Sequence, residues 1–294
     1  MAKKRKNKNR PKAFDRSKQK NSISDAILDT LSYRAIFDYP MSYRQLYTYL
    51  ITPEPVPIDE FRVELRNLCK GRKVKTKSDL FHAEGIEPVN WHTRAENSRN
   101  LLTEVSHVIA HLKSIPWVKM IAVTGAVAAR NAPRDDDIDL FIITAKDRLW
   151  ITRFFVVLYC KIFNVYRTDA SPAGKICPNL FISEDSMSWP KSKRNLYVAH
   201  EILLMHPIYS KDAAYFRFLA ANRWVLQYFK NFYFDHVITP TLTHKHSTLV
   251  NIFEKLMMHF QLRYMKKKIT TEVVNAKLLH FAKTDHSQRI LNNL

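Results

Sequence analysis

Two carboxylates stand inside an otherwise apolar run, Asp137-Ile138-Asp139-Leu140-Phe141-Ile142-Ile143, and no other stretch of the chain restricts its fold as tightly. Length and β-branched content make the run a buried strand. Residues two apart on a strand project from one face, so Asp137 and Asp139 share a side while Ile138 and Leu140 take the other. Like charges a few ångströms apart raise one another's pKa, and burying them without a cation is costly. A divalent metal removes that cost, and magnesium is the cation expected. A second buried strand, Trp117 to Thr124, precedes them and runs into Gly125-Ala126-Val127-Ala128. Ordinary usage near 7% would give about 20 glycines, whereas this chain has 4 in 294 residues. A glycine directly after a strand therefore marks a backbone requirement, and the close approach of a ligand phosphate would create one. Asp135, Asp136 and Asp137 can also be read as a polar turn capping a strand; their joint occurrence with Gly125 favours chemistry.

Glycine turn, short helix and D-h-D-h on a strand resembles the signature of the DNA polymerase β type nucleotidyltransferase superfamily, closely over 118–144 and in outline over 94–190. The resemblance implies that Thr124, Gly125 and Ala126 hold the phosphates of an NTP. It makes Asp137 and Asp139 the catalytic residues, binding the Mg²⁺ ions of in-line nucleotidyl transfer. Ala126 departs from the family, which usually has a serine there whose hydroxyl touches a phosphate; Thr124 is the substitute at hand. The third carboxylate of the family belongs on a neighbouring strand, here Lys175 to Ser183. Cys177, Asn179, Phe181 and Ser183 share one face of it, so Asn179 is expected to face the metals as an amide ligand that cannot serve as general base. Asp169, Glu184 and Asp185 are the flanking alternatives. Of Arg130, Arg148, Arg153 and Lys175, the lysine is best placed to neutralise a triphosphate. Ile176 to Ile182, Arg148-Leu149-Trp150 and Ala199-His200-Glu201 resemble a prokaryotic group of the same superfamily.

The charge balance, 47 Lys and Arg against 27 Asp and Glu, gives +20 and points to an anionic partner. Residues 1–20 hold ten of the basic side chains against Asp15 alone and read as a disordered tail for nucleic acid or as a solvated leader. Apolar spacing predicts helices over 24–37, after Ser42 with Gln45 as its capping-box partner, and from Pro57 to a left-handed stop at Gly71. A two-stranded ribbon over 72–82 follows. That order is similar to the winged-helix units that Ile27–Phe37 and Asp38-Tyr39-Pro40-Met41-Ser42 open in the same prokaryotic group. Arg72, Lys73, Lys75 and Lys77 would be the nucleic-acid contacts of the wing, the alternative being a solvated basic hairpin.

One helix is expected over Arg94–Lys113, another over 147–165, and further helices across Leu196–Met205, Tyr215–Phe232 and Leu249–Met265. His107 and His111 fit an exposed helix face better than a metal pair, and His200-Glu201 fails H-E-x-x-H because Leu204 occupies the second histidine position. The aromatics from Trp224 to Phe234 read as core rather than a base-stacking platform. Three cysteines without C-x-x-C spacing suggest free thiols and a cytoplasmic setting, and no apolar run reaches the length of a membrane span.

The fold expected is α+β: a basic tail (1–22), a winged-helix-like domain (23–88), a small mixed-sheet nucleotidyltransferase core (89–190) and a helical C-terminal region (191–294). The expected function is Mg²⁺-dependent transfer of an NMP group from NTP to an unknown acceptor. The alternative is a nucleic-acid-binding regulator whose degenerate core senses nucleotide. An enzyme should bring a carboxylate of Asp169, Glu184 or Asp185 to the Asp137 and Asp139 pair, whereas Asn179 alone there favours the sensor.

Overall fold

The computed structural model describes residues 22–84, 90–233, 247–265, 273–280 and Ile290, so positions 1–21 of the basic tail and Lys266 to Lys268 lie outside the described residues. The architecture is mixed α and β, divided into two compact units. One is Met1–Val89 with Gln227–Phe232 and His286–Leu294; the other is Asn90–Leu226 with Tyr233–Asp285.

In the first unit, α1 (Ile23–Ala35) starts at Ser22, whose hydroxyl accepts from the Asp25 N–H while Asp25 accepts from the Ser22 backbone. β1 (Met41–Ser42) leads into α2 (Tyr43–Thr48) through the Ser42 and Gln45 capping box that the spacing predicted. α3 (Ile58–Lys70) begins after Pro57 and buries Phe61, Leu65 and Leu68 on one stripe. β2 (Val74–Lys77) and β3 (Leu80–Ala83) form a hairpin, and β1 completes a three-stranded sheet on β3. Ser78 and Asp79, at φ 51° and 61°, make the two-residue link. Positive φ at both positions matches the right-handed twist of the flanking strands. The stop after α3 differs from expectation. Gly71 has φ −75° and Arg72 takes the left-handed position at φ 60°, because the Arg72 and Lys73 N–H groups must turn back onto the Cys69 and Leu68 carbonyls. Phe229 is fully buried in this unit, its segment tied down by Thr52 N–H to the Tyr228 carbonyl and Val56 N–H to Asn231 Oδ1, both 2.9 Å.

The second unit opens with α4 (Trp91–Glu104) and α5 (Ser106–Leu112). They replace the single helix expected over Arg94–Lys113: buried Val105 leaves helical geometry at ψ 2°, and Ser106 donates its hydroxyl back to the Thr103 carbonyl. Then follow β4 (Val118–Val123), α6 (Gly125–Ala128), β5 (Ile138–Thr144), α7 (Leu149–Ile162), β6 (Ile176–Ser183), α8 (Leu196–Leu204), β7 (His206–Ser210), α9 (Ala214–Ala221), α10 (Thr248–Met265), β8 (Val273–Val274) and β9 (Leu278–His280). The sheet runs β7-β4-β5-β6-β9-β8, with β5 and β6 parallel and the other pairs antiparallel. Three of its strands come from the region after residue 191, where only helices are expected from the sequence. His206–Ser210 alternates exposed and half-buried residues, so it carries no apolar run; pairing with β4 makes it a strand.

β5 is the centre of the core. Ile138, Leu140 and Ile142 pack with Val108, Val156 and Phe181, while Phe141 on the opposite face meets Phe218 of α9 with ring centroids 5.0 Å apart. Each such side chain contributes about 1.5–3 kcal/mol when fully buried. Asp139 lies on the Phe141 face. Among the described residues, no helix is long and apolar enough to cross a membrane.

The start of α7 has no side-chain cap of its own, and Glu254 of α10 supplies one by accepting from the Trp150 and Ile151 N–H groups, both at 2.8 Å. Burial pushes its carboxyl above the usual range although both donors favour the anion. Glu254→Ala leaves two buried donors unsatisfied and is expected to cost about 2–3 kcal/mol in urea denaturation; Glu254→Gln, keeping one acceptor, should cost about half as much.

Candidate metal and nucleotide site

The backbone brings the carboxylates to the glycine turn. The Thr124 N–H donates to the Asp139 carbonyl at 3.0 Å, carrying the β4 and β5 pairing to the residue before the turn. Gly125 then has φ 65°, and a Cβ on it would lie 3.0 Å from Asp139 Oδ2. Left-handed geometry and this close approach are both needs that glycine meets. The return loop is held to α4, with the Ala132 N–H on the Ser98 hydroxyl at 3.1 Å and the Arg94 guanidinium on the Asn131 carbonyl at 3.4 Å.

Asp137, Asp139 and Cys177 each offer a ligand atom, all within 4.8 Å of one another and half-buried. Cys177 and Asn179 both reach Asp139 because the β5 and β6 register shifts between Asp139 opposite Cys177 and Phe141 opposite Leu180. Two residues of β6 thus face one of β5, and the extra pair includes Pro178, which has no N–H to give a ladder. Asn179 Nδ2 donates to Asp139 Oδ1 at 2.6 Å, and the Cys177 thiol also donates to Asp139. Burial, then repulsion from Asp137, pushes the Asp139 carboxyl up to about 7; burial and the same neighbour take Asp136 to about 6. The Cys177 thiol is raised too, by burial first and then by Asp139, and so stays protonated.

Arg167 is the cation already present, 3.0 Å from Asp137 and 3.3 Å from Asp169. Sequence reasoning missed it because Arg167 lies outside the strand motifs; the Arg167 N–H bond to the Ile176 carbonyl fixes its place. Of the three acids considered for the third position, Glu184 pairs with Arg217 at 3.1 Å and Asp185 with Lys277 at 2.7 Å, while Asp169 joins the cluster through Arg167. Glu201 on α8 carries no signal in the sequence beyond the failed zinc motif, yet its charge raises the Asp139 pKa. Lys175 donates to the Asn164 carbonyl at 2.6 Å. Thr124 and Ala126 are half-buried beside Gly125, and the Thr124 side chain does not cap α6. Arg72, Lys73, Lys75 and Lys77 are exposed at the base and first strand of the β2 and β3 hairpin.

Two carboxylates with oxygens this close suit a hard cation, and the protonated thiol and the amide beside them can adjust to it. Gly125→Ala tests the packing of the turn: a left-handed Cβ costs about 1–2 kcal/mol, and its 3.0 Å approach makes the Asp139 carboxylate oxygen give way. Thermal denaturation should show that loss, and divalent-ion affinity should fall about tenfold or more. No family model matches this chain, and no curated protein matches it.

Proposed function

We propose that the chain is a Mg²⁺-dependent nucleotidyltransferase of the DNA polymerase β type, moving an NMP group from NTP to an acceptor hydroxyl with pyrophosphate leaving. The observation that carries the reading is the pairing of Asp137 with Asp139, ligand atoms within 4.8 Å, beside a left-handed glycine on which a Cβ would lie only 3.0 Å from Asp139 Oδ2. Asp137 and Asp139 would hold the metal, which when bound neutralises charge on the phosphates and the reacting oxygens. The turn at Thr124, Gly125 and Ala126 would position the phosphates, with Ala126 giving no hydroxyl and leaving backbone donors to do so. Arg167, 3.0 Å from Asp137, would be the cation at hand to meet the charge of a triphosphate beside the two carboxylates. Glu201 of α8, whose charge acts on Asp139, would be the candidate to take the acceptor's proton. Unit one, with its helices followed by a basic hairpin, supports a winged-helix reading and a nucleic-acid partner.

A second reading, a nucleotide sensor that binds without turnover, is favoured by Asn179 and Cys177 standing against Asp139 where the family has an acid. Pyrophosphate release from each NTP with Mg²⁺ and a hydroxyl acceptor mixture of RNA and small alcohols separates them. Release abolished by Glu201→Gln, with nucleotide binding retained, is expected for the enzyme. Binding without release supports the sensor.

A further inference from the structure

α10 has an outer face that the nucleotide site does not use. Its inner face is set by buried Glu254, Met257 and Met265, while Leu249, Ile252, Leu256 and Phe260 are 78, 60, 45 and 57% exposed. Their spacing of three and four residues makes one stripe along the helix. Four large apolar side chains exposed along one helix face form the kind of contiguous patch that marks an interaction surface. α7, on which α10 packs, carries exposed apolar residues of its own, Leu158 and Ile162 at 39 and 67%. Lys255, His259 and Arg263, four apart and all exposed, run along one edge of the stripe. The one carboxylate of α10, Glu254, is buried on the α7 backbone, so its outer side bears no acid. The sequence continues Lys266-Lys267-Lys268, and the whole chain carries +20.

We propose that this face of α10 docks in the plane of an anionic lipid surface, the apolar stripe entering the acyl boundary and the basic edge meeting the lipid phosphates. An apolar stripe with a cationic flank is the arrangement that lies on a bilayer, and the helix is not apolar enough to span one. Charge selects this occupant over others. A second copy would bring another +20, and an antiparallel pairing of the two stripes would set their basic edges side by side. A nucleic-acid backbone offers nothing to bury four aliphatic and aromatic side chains. This inference is independent of the nucleotidyltransferase reading.

Co-sedimentation of the full chain with vesicles of phosphatidylcholine mixed with phosphatidylserine, beside phosphatidylcholine alone, tests it. Binding to the anionic vesicles is expected, falling about tenfold or more in Ile252→Asp with Phe260→Asp, and falling again in Lys255→Ala with Arg263→Ala. Circular dichroism should show the same melting temperature for each; should the first pair fail to fold, Leu249→Asp at the most exposed position replaces it. The proposal is overturned if the wild type stays in the supernatant. It is also overturned if the Asp variants bind as well as wild type, which would place the attraction in charge elsewhere. A dimer in sedimentation velocity that the same variants dissolve, without vesicle binding, would show the face to be a contact between copies.

Discussion

An Asp139→Asn variant is expected to melt higher than the wild type in metal-free buffer at pH 8 and to have lost Mg²⁺-dependent nucleotide binding. The acid is raised from about 3.8 in the unfolded chain to about 7 in the folded one, by burial and by Asp137. Below both values it is protonated in either state and costs nothing. As pH rises through that window the unfolded chain ionises first, so folding stability falls and reaches its floor above pH 7. A shift of that size corresponds to several kcal/mol. Asp139 retains some contact with water, and the amide of the variant would present an N–H₂ to the Cys177 donor, so the gain expected is about 1–2 kcal/mol. The same substitution removes one of two anionic ligands, for which a loss in divalent-ion affinity of about a hundredfold is expected. Thermal melts from pH 4 to pH 8, with and without Mg²⁺, check both halves: the variant's advantage is largest at pH 8 and shrinks steadily toward pH 4, and Mg²⁺ stabilises the wild type alone.

The largest loss of stability is expected from Asn222→Leu, about 3–5 kcal/mol. Asn222 is fully buried after α9, and its amide is used on every side. Oδ1 accepts from the Trp189 backbone N–H at 2.8 Å and from Trp224 Nε1 at 3.0 Å, while Nδ2 donates to the Met187 and Phe218 carbonyls at 2.9 and 2.8 Å. Leucine keeps the branched skeleton but replaces the amide with bulkier methyl groups, and it leaves four buried polar groups without partners, each costing about 1–3 kcal/mol with partial relaxation. Urea denaturation followed by tryptophan fluorescence should show an earlier midpoint with the slope unchanged. A loss below about 1 kcal/mol would mean that water reaches these groups.

The parts of the fold that periodicity governs are legible in the sequence. The strands at Val118–Val123 and Ile138–Thr144, the Ser42 and Gln45 box and the glycine turn depend on local spacing and stand within a residue or two of expectation. What sequence does not disclose depends on partners distant along the chain. β7 has no apolar pattern and exists by pairing with β4. The helix over Arg94–Lys113 breaks at Val105, an apolar position indistinguishable by pattern from its neighbours. At the site, Asp137, Asp139 and the placing of Cys177 with Asn179 are readable from alternation, but the extension of that face to Phe181 is not: past the register shift Phe181 pairs with Ile142 and packs in the core on the side away from Asp139. The register shift at Pro178 that brings Cys177 and Asn179 to Asp139 is not readable, and neither are Arg167 and Glu201, which arrive from a loop and from α8. Nearness in sequence suggests Lys175 for the phosphates, and its ammonium is instead on the Asn164 carbonyl.

Isothermal titration of the four NTPs into the wild-type chain with Mg²⁺, repeated with EDTA and with the Asp137→Ala, Asp139→Ala double variant, tests the central claim most directly. Binding of at least one NTP is expected, and it should disappear both with EDTA and in a variant that still folds. Binding of none, or binding that persists unchanged without metal or without the two carboxylates, would contradict that claim.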